Sequence, residues 1–543
     1  MAWLSYVQRP LKRLAFQKAH IAVVAACIVC LGAASAHAQT GVVSMSNASI
    51  DVARAAEEPT LKSPILAAVW ADWQAAMQRG DADLARQRVE RFWQEQHQRG
   101  GGPLVEMVPV APHRQGAALL AGTSASASFY VTFLWRDGVF TNQRTAQAFN
   151  GAITGAEQPL QVRLLAPVRQ FNTQVLSPLG RTGIRYYSVV LPADSRMSYQ
   201  YAAGAQPAEG NRQALRAWMR EHTIVDPLNP TSWPSAPVES LQRLPAYAAL
   251  RPLSVLQVPE AEKPLRSATV EPAAKASAVT ALGRWSRHRI KSEVLGNTRD
   301  VWLYQMPALA NHVQNKNAPP SQATRVWVVL DGEQWETQWS VQRALERLHA
   351  EQPEQSVVAV LVGNVDRGAE LPPNEKFAQF MAHELGAWIQ AQVPAASRRA
   401  QDWTISGVSY GGLASTWLAF RFPERFGNVL SLSGSYWWVP EEEESGPSNP
   451  DAGQPHDDWL TRQIAAAPRK PIRLYIDAGR LESGVDGEAG ILDNNRRLRD
   501  VLRAKGYPFT YHESLGGHDA MVWQDALESG FRHFLVETAS PSP

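Results

Sequence analysis

Apolar positions change their spacing along this chain, and each change marks a different kind of element. A continuous apolar run from Ile21 to Leu31 follows Arg9, Lys12, Arg13 and Lys18 and precedes Ala36-His37-Ala38. After a polar stretch, Ile65, Leu66, Val69, Trp70, Trp73 and Met77 recur at helical spacing. Ser63-Pro64 supplies a cap and a first-turn proline, and Gly80 a stop. Asp81 opens a second helix with Leu84, Val89, Phe92 and Trp93, ended by Gly100-Gly101-Gly102. From Ser128 the residues become aromatic and β-branched, in Phe129 to Trp135, Tyr186 to Leu191 and Tyr199 to Tyr201. With turn residues between them and no strong helix before Arg212 to Glu221, these predict a small antiparallel β-sandwich, closed by Asp226-Pro227-Leu228-Asn229-Pro230. Pro259 to Ala278 is rich in Ala, Pro, Glu and Lys and reads as a linker. Beyond it, apolar runs at Val326–Leu330, Val357–Val362, Trp403–Ser406, Val429–Leu432, Ile472–Ile476 and Phe509–Tyr511 alternate with helical stretches such as Phe377 to Val393. Continuous apolar strands separated by helices predict a mostly parallel sheet covered on both faces, which binds ligands at the carboxyl ends of its strands.

Size and composition narrow the possibilities. A chain of 543 residues exceeds one ordinary domain. Its net charge of +2 gives no ground for a nucleic-acid partner or an anionic membrane surface. The N-terminal apolar run is shorter than the ~20 residues needed to cross a bilayer. With its basic lead and A-x-A site it reads as an export signal cleaved after Ala38, so stable membrane insertion is not expected. Both cysteines, Cys27 and Cys30, lie inside that segment. The exported chain would have no disulfide, thiol nucleophile or Cys-ligated zinc. The 19 tryptophans suit either core packing or aromatic subsites for a flat ligand.

One motif carries chemistry. Gly407-Val408-Ser409-Tyr410-Gly411 is the G-x-S-x-G of the chain. Such a pattern arises by accident in about one chain in five of this length, but here a strand runs into it and Gly412 to Leu418 reads as a helix leaving it. That turn leaves no room for side chains beside the serine and holds Ser409 exposed as a nucleophile at a helix N-terminus. A serine hydroxyl needs a base, and Gly516-Gly517-His518-Asp519 follows the last predicted strand, where hydrolases place it. The acid belongs between the two; Asp477, Glu482 and Asp486 all qualify, and spacing favours Glu482, which lies past the Gly479 turn. Backbone amides of Tyr410 and of Glu333 or Gln334, the latter two in the loop after Leu330, are the candidate oxyanion donors. His383-Glu384 lacks the second histidine of a zinc-binding helix, since Ala387 occupies its place, and no phosphate loop is present. Metal and cofactor are therefore not expected.

Several segments closely resemble the ferric enterobactin (enterochelin) esterases: Val328 to Trp335, Gly407 to Gly412, Pro423 to Gly427, Ser433-Gly434-Ser435-Tyr436-Trp437-Trp438 and Gly516 to Asp519. The likeness extends forward to Phe133–Asp137 and Asp226–Pro230, and so covers Phe129 to the C-terminus. It implies an α/β-hydrolase that cleaves the serine trilactone of catecholate siderophores and releases iron for reduction. It places the acid at Glu482, with Asp477 as the alternative, and sets Arg367 with Glu370-Leu371 at the substrate mouth. A ferric tris-catecholate is trianionic with aromatic faces, so Arg367, Trp335, Trp437 and Trp438 suit it chemically as a cradle. Two features depart from the family. The export signal points to the periplasm, and the helical hairpin from Ser63 to Gln98 has no recognised counterpart. The full expectation is a signal peptide over 1–38, disorder over 39–60, a helical hairpin and linker over 61–127, a β-sandwich over 128–258, a linker over 259–280 and an α/β-hydrolase catalytic domain over 281–543. A feruloyl-type or other aromatic or carbohydrate esterase, and a non-catalytic siderophore- or glycan-binding protein, are the alternatives.

Overall fold

The structure is a computed structural model that describes residues 61–108, 128–138, 161–168, 173–204, 214, 218, 222–233, 253–258, 283–306, 323–337, 339–440, 458–484 and 489–536. The export signal, the stretch to residue 60, most of the Arg212–Glu221 helix, the 259–280 linker and Asp486 lie outside the described residues. Two helices open the fold. Helix α1 (Pro64–Gln78) is capped by the Ser63 hydroxyl, which accepts from the Leu66 amide at 3.1 Å. Helix α2 (Ala82–Gln98) is capped by Asp81 in the same way and buries Ala85, Val89, Phe92 and Trp93. Gly101 ends that helix against another chain segment: a Cβ there would stand 1.8 Å from the Leu228 carbonyl oxygen.

Two antiparallel sheets follow. The first has the order β1-β2-β6-β5, from β1 (Leu104–Met107), β2 (Ser128–Arg136), β5 (Ser177–Pro178) and β6 (Ile184–Pro192). The second has the order β4-β3-β7-β10-β9, with β8 also on β7. It is built from β3 (Val162–Leu165), β4 (Gln174–Val175), β7 (Arg196–Ala203), β8 (Thr223–Ile224), β9 (Ser232–Trp233) and β10 (Leu253–Gln257). Alternation along β2 explains its unbroken apolar run. Phe129, Val131, Phe133 and Trp135 share a cluster with Met197, Tyr199 and Tyr201 of the second sheet. Leu134 points the other way, into a cluster with Leu66, Val89, Phe92 and Trp93 of the helices. Both faces of β2 are therefore covered, each buried large side chain contributing about 1.5–3 kcal/mol. Strand β1 lies within the stretch the sequence reads as hairpin and linker; with four residues it offers too little alternation to be recognised.

The third sheet has eight strands in the order β11-β12-β14-β13-β15-β16-β17-β18. They are β11 (Arg284–Lys291), β12 (Thr298–Gln305), β13 (Arg325–Val329), β14 (Val357–Val362), β15 (Trp403–Val408), β16 (Asn428–Leu432), β17 (Arg473–Gly479) and β18 (Phe509–Ser514). From β14 to β18 every pairing is parallel, and β11 and β12 add an antiparallel edge. That edge escapes the hydrophobic pattern because β11 is mostly solvent-facing, with Ile290 its buried residue. Apolar clusters cover both faces of this sheet. The chain passes from β13 outward to β14 and then back to β15 on the other side, a topological switch whose crevice opens at the carboxyl ends of the strands. Among the described residues no helix is long and apolar enough to cross a membrane.

Candidate active site

Strain collects at that carboxyl rim. Among the described residues five non-glycine positions have positive φ, and three of them follow successive strands: Asp331 after β13 (φ 58°), Ser409 after β15 (φ 58°) and Ser433 after β16 (φ 49°). Each such conformation costs about 1–3 kcal/mol and persists where its surroundings enforce it. Ser409 sits between β15 and the helix Tyr410–Arg421. The turn is closed so tightly that a Cβ on Gly407 would stand 2.5 Å from the Gly411 carbonyl carbon. The Ser409 amide donates to Leu432 O at 2.9 Å, its carbonyl accepts from the Ser435 amide at 3.1 Å, and its hydroxyl meets the Ser435 hydroxyl at 3.1 Å. Tyr410 is the first residue of the helix, where amides point along the axis toward the turn.

On the neighbouring strand ends an imidazole meets a carboxylate. His518 Nδ1 lies 2.5 Å from Glu482 Oε1. Glu482, on the short turn Arg480–Glu482 after β17, is 2% exposed. Its other oxygen accepts from the Gly479 amide at 2.6 Å and the Ser433 hydroxyl at 2.8 Å. Three donors thus offset the desolvation of a buried carboxylate. Trp523 completes the group: its indole N–H donates to Ser433 Oγ at 2.9 Å, and its ring stands edge-on to the imidazole, 4.6 Å between centroids. With Glu482 ionised, Nδ1 carries the ring proton and Nε2 is the basic nitrogen. Asp477 is placed differently. Its buried carboxylate meets the Ser514 hydroxyl at 2.7 Å from both oxygens, and burial, with the Glu482 charge nearby, pushes it up to about 7. Of the two acids, Glu482 is the one against the imidazole. Asp486 lies outside the described residues.

The loop after β13 is held by charge. Asp331, 1% exposed, accepts from Arg367 Nε at 2.6 Å, from Arg367 Nη2 at 2.9 Å and from Asn364 Nδ2 at 2.9 Å. Arg367 also donates to Val408 O at 3.3 Å, tying this loop to the strand before Ser409. The Glu333 carboxylate turns inward to accept from the Asn364 amide at 2.7 Å, and Glu333 is the second residue of the helical turn Gly332–Thr337. Asn364, Ser433, Ser435 and Trp523 carry this scaffold without having been assigned a role from sequence. The Ser433-Gly434-Ser435 string was visible as a signature, whereas Asn364 and Trp523 carry no local signal.

Other expected ligand contacts divide. Trp437 and Trp438 are half-buried beside the serine turn, Trp437 tilted against Tyr410 at 5.7 Å and Trp438 edge-on to Trp459. Trp335 is a correction: at 0% exposure, packed edge-on to Trp339, it lies beneath the loop where no ligand reaches it. Arg367 remains partly exposed, but its guanidinium is engaged by Asp331, so its charge is largely compensated. Glu370 is buried, paired with Arg299 at 2.8 Å. His383 packs on Phe422, and Glu384 accepts from Ser292 Oγ at 2.6 Å, which makes both structural. Among the described residues no group of three or more His, Cys, Asp or Glu is arranged to hold a metal ion.

A hydroxyl on a strained turn at a helix N-terminus, and an imidazole oriented by a buried carboxylate at the same strand-end rim, are groups that an ester hydrolase uses. Comparisons with known proteins agree. The family model described as "Putative esterase" matches residues 310–534, and "Enterochelin esterase, N-terminal" matches 130–264. The iron(III) enterobactin esterase of Dickeya dadantii is 28% identical over 83% of this chain and 94% of its own. That of Escherichia coli O6:H1 is 27% identical over 74% of this chain and 90% of its own. Among solved structures, the enterobactin esterase of Shigella flexneri in the presence of 2,3-dihydroxy-N-benzoyl-serine is 25% identical with TM-score 0.52, covering 83% of this chain and 99% of that one. The paired N-terminal and esterase matches, in the same order along one α/β chain, place it in the ferric enterobactin (enterochelin) esterase family.

Proposed function

We propose that this chain is a serine esterase that hydrolyses the ester bonds of catecholate siderophores of the ferric enterobactin kind. The observation that carries the reading is the continuous chain Trp523–Ser433–Glu482–His518 at the same strand-end rim as Ser409. His518 Nε2 takes the Ser409 proton as Oγ attacks the lactone carbonyl, and Glu482 stabilises the imidazolium that forms. The Tyr410 and Glu333 amides receive the negative charge on the carbonyl oxygen; losing one such donor costs about 3–4 kcal/mol in comparable sites. Collapse breaks the ester C–O bond, and His518 returns its proton to the departing serine hydroxyl of the siderophore. Water, deprotonated by His518, then releases the acyl group from Ser409 as a carboxylic acid.

Supports for the substrate are the relatives' activity and the aromatic faces of Trp437 and Trp438 beside the serine turn, suited to catechol rings. The basic, apolar and A-x-A segments at the N-terminus support export and a periplasmic site of reaction. Chromatography of iron(III) enterobactin and of an aryl ester incubated with wild type and Ser409→Ala tests the reading. Wild type should open the trilactone to linear products, and the variant should lose on the order of 10^4-fold in rate. An intact siderophore beside a cleaved aryl ester would leave an esterase of different specificity.

A further inference from the structure

His518 sits on a loop, 515–519, that is tethered both by its own domain and from outside it. Within the esterase domain, Leu481 N donates to Gly516 O at 2.9 Å, and Met521 N caps onto Asp519 Oδ1 at 3.0 Å. Further tethers come from β7, more than 300 residues earlier in the chain. Arg196 N donates to Leu515 O at 3.2 Å. Both the amide and the hydroxyl of Ser198 bind the Asp519 carboxylate, the hydroxyl at 3.0 Å. The Arg196 guanidinium pairs with Asp525, one helical turn into the helix Ala520–Val536, at 3.0 Å. Pro167 presses directly on the loop: a Cβ on Gly517 would stand 2.5 Å from Pro167 Cβ. Asp519 is 4% exposed and Ser198 9%, so these bonds are sheltered from water.

A cap alone does not need this arrangement. The Asp519 carboxylate already caps the helix by accepting from the Met521 amide, yet two further donors from the other domain converge on this residue next to His518. We propose that Ser198 is a positioning residue: through Asp519 the N-terminal sheets fix the loop that aims His518 at Ser409. This role rests on the reading of His518 as the general base. It also gives the N-terminal domain a part in turnover that does not depend on touching substrate.

The test is kinetic, in the full-length protein, with p-nitrophenyl butyrate and iron(III) enterobactin run in parallel. Ser198→Ala should lower kcat about 10-fold on both esters while KM stays within about 2-fold, since small misplacement of a reacting group acts on the chemical step. Ser198→Thr, which keeps the hydroxyl, should recover most of the loss. Asp525→Asn loosens the same docking without touching Asp519 and should lower kcat about 2- to 3-fold, which covers the case in which Ser198→Ala fails to fold. Wild-type kcat in Ser198→Ala, or in Asp525→Asn should the first not fold, overturns the role. So does a loss confined to KM for the siderophore, which would place Ser198 in substrate binding. His518→Ala in the same assay keeps the two readings apart: turnover that survives it removes the general base, and the positioning role with it.

Discussion

Two loops meet at the carboxyl rim of the large sheet, and they are built in opposite ways. The Ser409 turn is fixed by its own neighbourhood: a close-packed glycine, the helix that follows, and hydrogen bonds to Leu432 and Ser435 on the adjacent strand end. The His518 loop is fixed from a distance, by Glu482 and Ser433 across two strand ends and by Ser198 from a different sheet. A nucleophile that must be strained is best held by backbone geometry that nothing else can alter. A base that only has to be aimed can be held by side chains, and that leaves it open to influence from another domain.

Breaking the comparison at its strongest point means removing the reacting groups. Ser409→Ala and His518→Ala should each lose on the order of 10^4-fold in kcat, and the double variant little more, because the two act as a unit. Glu482→Gln keeps the shape but offers the wrong group to Nδ1, and should lose on the order of 10^3-fold in kcat with KM nearly unchanged. Ser433→Ala removes the hydroxyl between Trp523 and Glu482. It should lower kcat about 10-fold and stability by about 1–3 kcal/mol, read by calorimetry.

Asp477→Asn sharpens the contrast between two acids, one on β17 and one on the turn that follows it. Kinetics should change by no more than about 2- to 3-fold, because Asp477 bonds Ser514 and not His518. Stability should change with pH. Burial raises the Asp477 carboxyl from 3.8 to about 7, so between those values the folded chain holds a proton the unfolded chain has lost. The stability that proton contributes is full below about pH 4 and lost as pH rises through 7. At about 1.4 kcal/mol per unit the effect is on the order of 4 kcal/mol. Asp477→Asn should therefore melt higher than wild type at pH 8, and the difference should shrink toward pH 5.

The same contrast explains what could be read from sequence. Strands β13 to β17 were legible because each is buried on both faces and reads as an apolar run, and the serine turn because its glycines and helix are contiguous with it. The acid was legible as a choice among Asp477, Glu482 and Asp486 in which spacing favoured Glu482; which carboxylate meets the imidazole depends on how the Arg480–Glu482 turn folds back. Trp335 was misread, since an indole suits a core as well as a ligand face and only the fold shows which side of the loop it takes. The β11–β12 hairpin was missed because β11 turns Arg284, Arg287, Arg289 and Lys291 to solvent, and the Ser198–Asp519 contact because nothing local marks a pairing across 321 residues.

The claim beneath all of this is that Ser409 and His518, distant in the chain, act on one proton. Mass-spectrometric mapping of a fluorophosphonate adduct in wild type and in His518→Ala reads it directly. The adduct should fall on Ser409 in wild type and form far more slowly without the histidine. An adduct on another residue, or equal labelling rates in the two proteins, would contradict it.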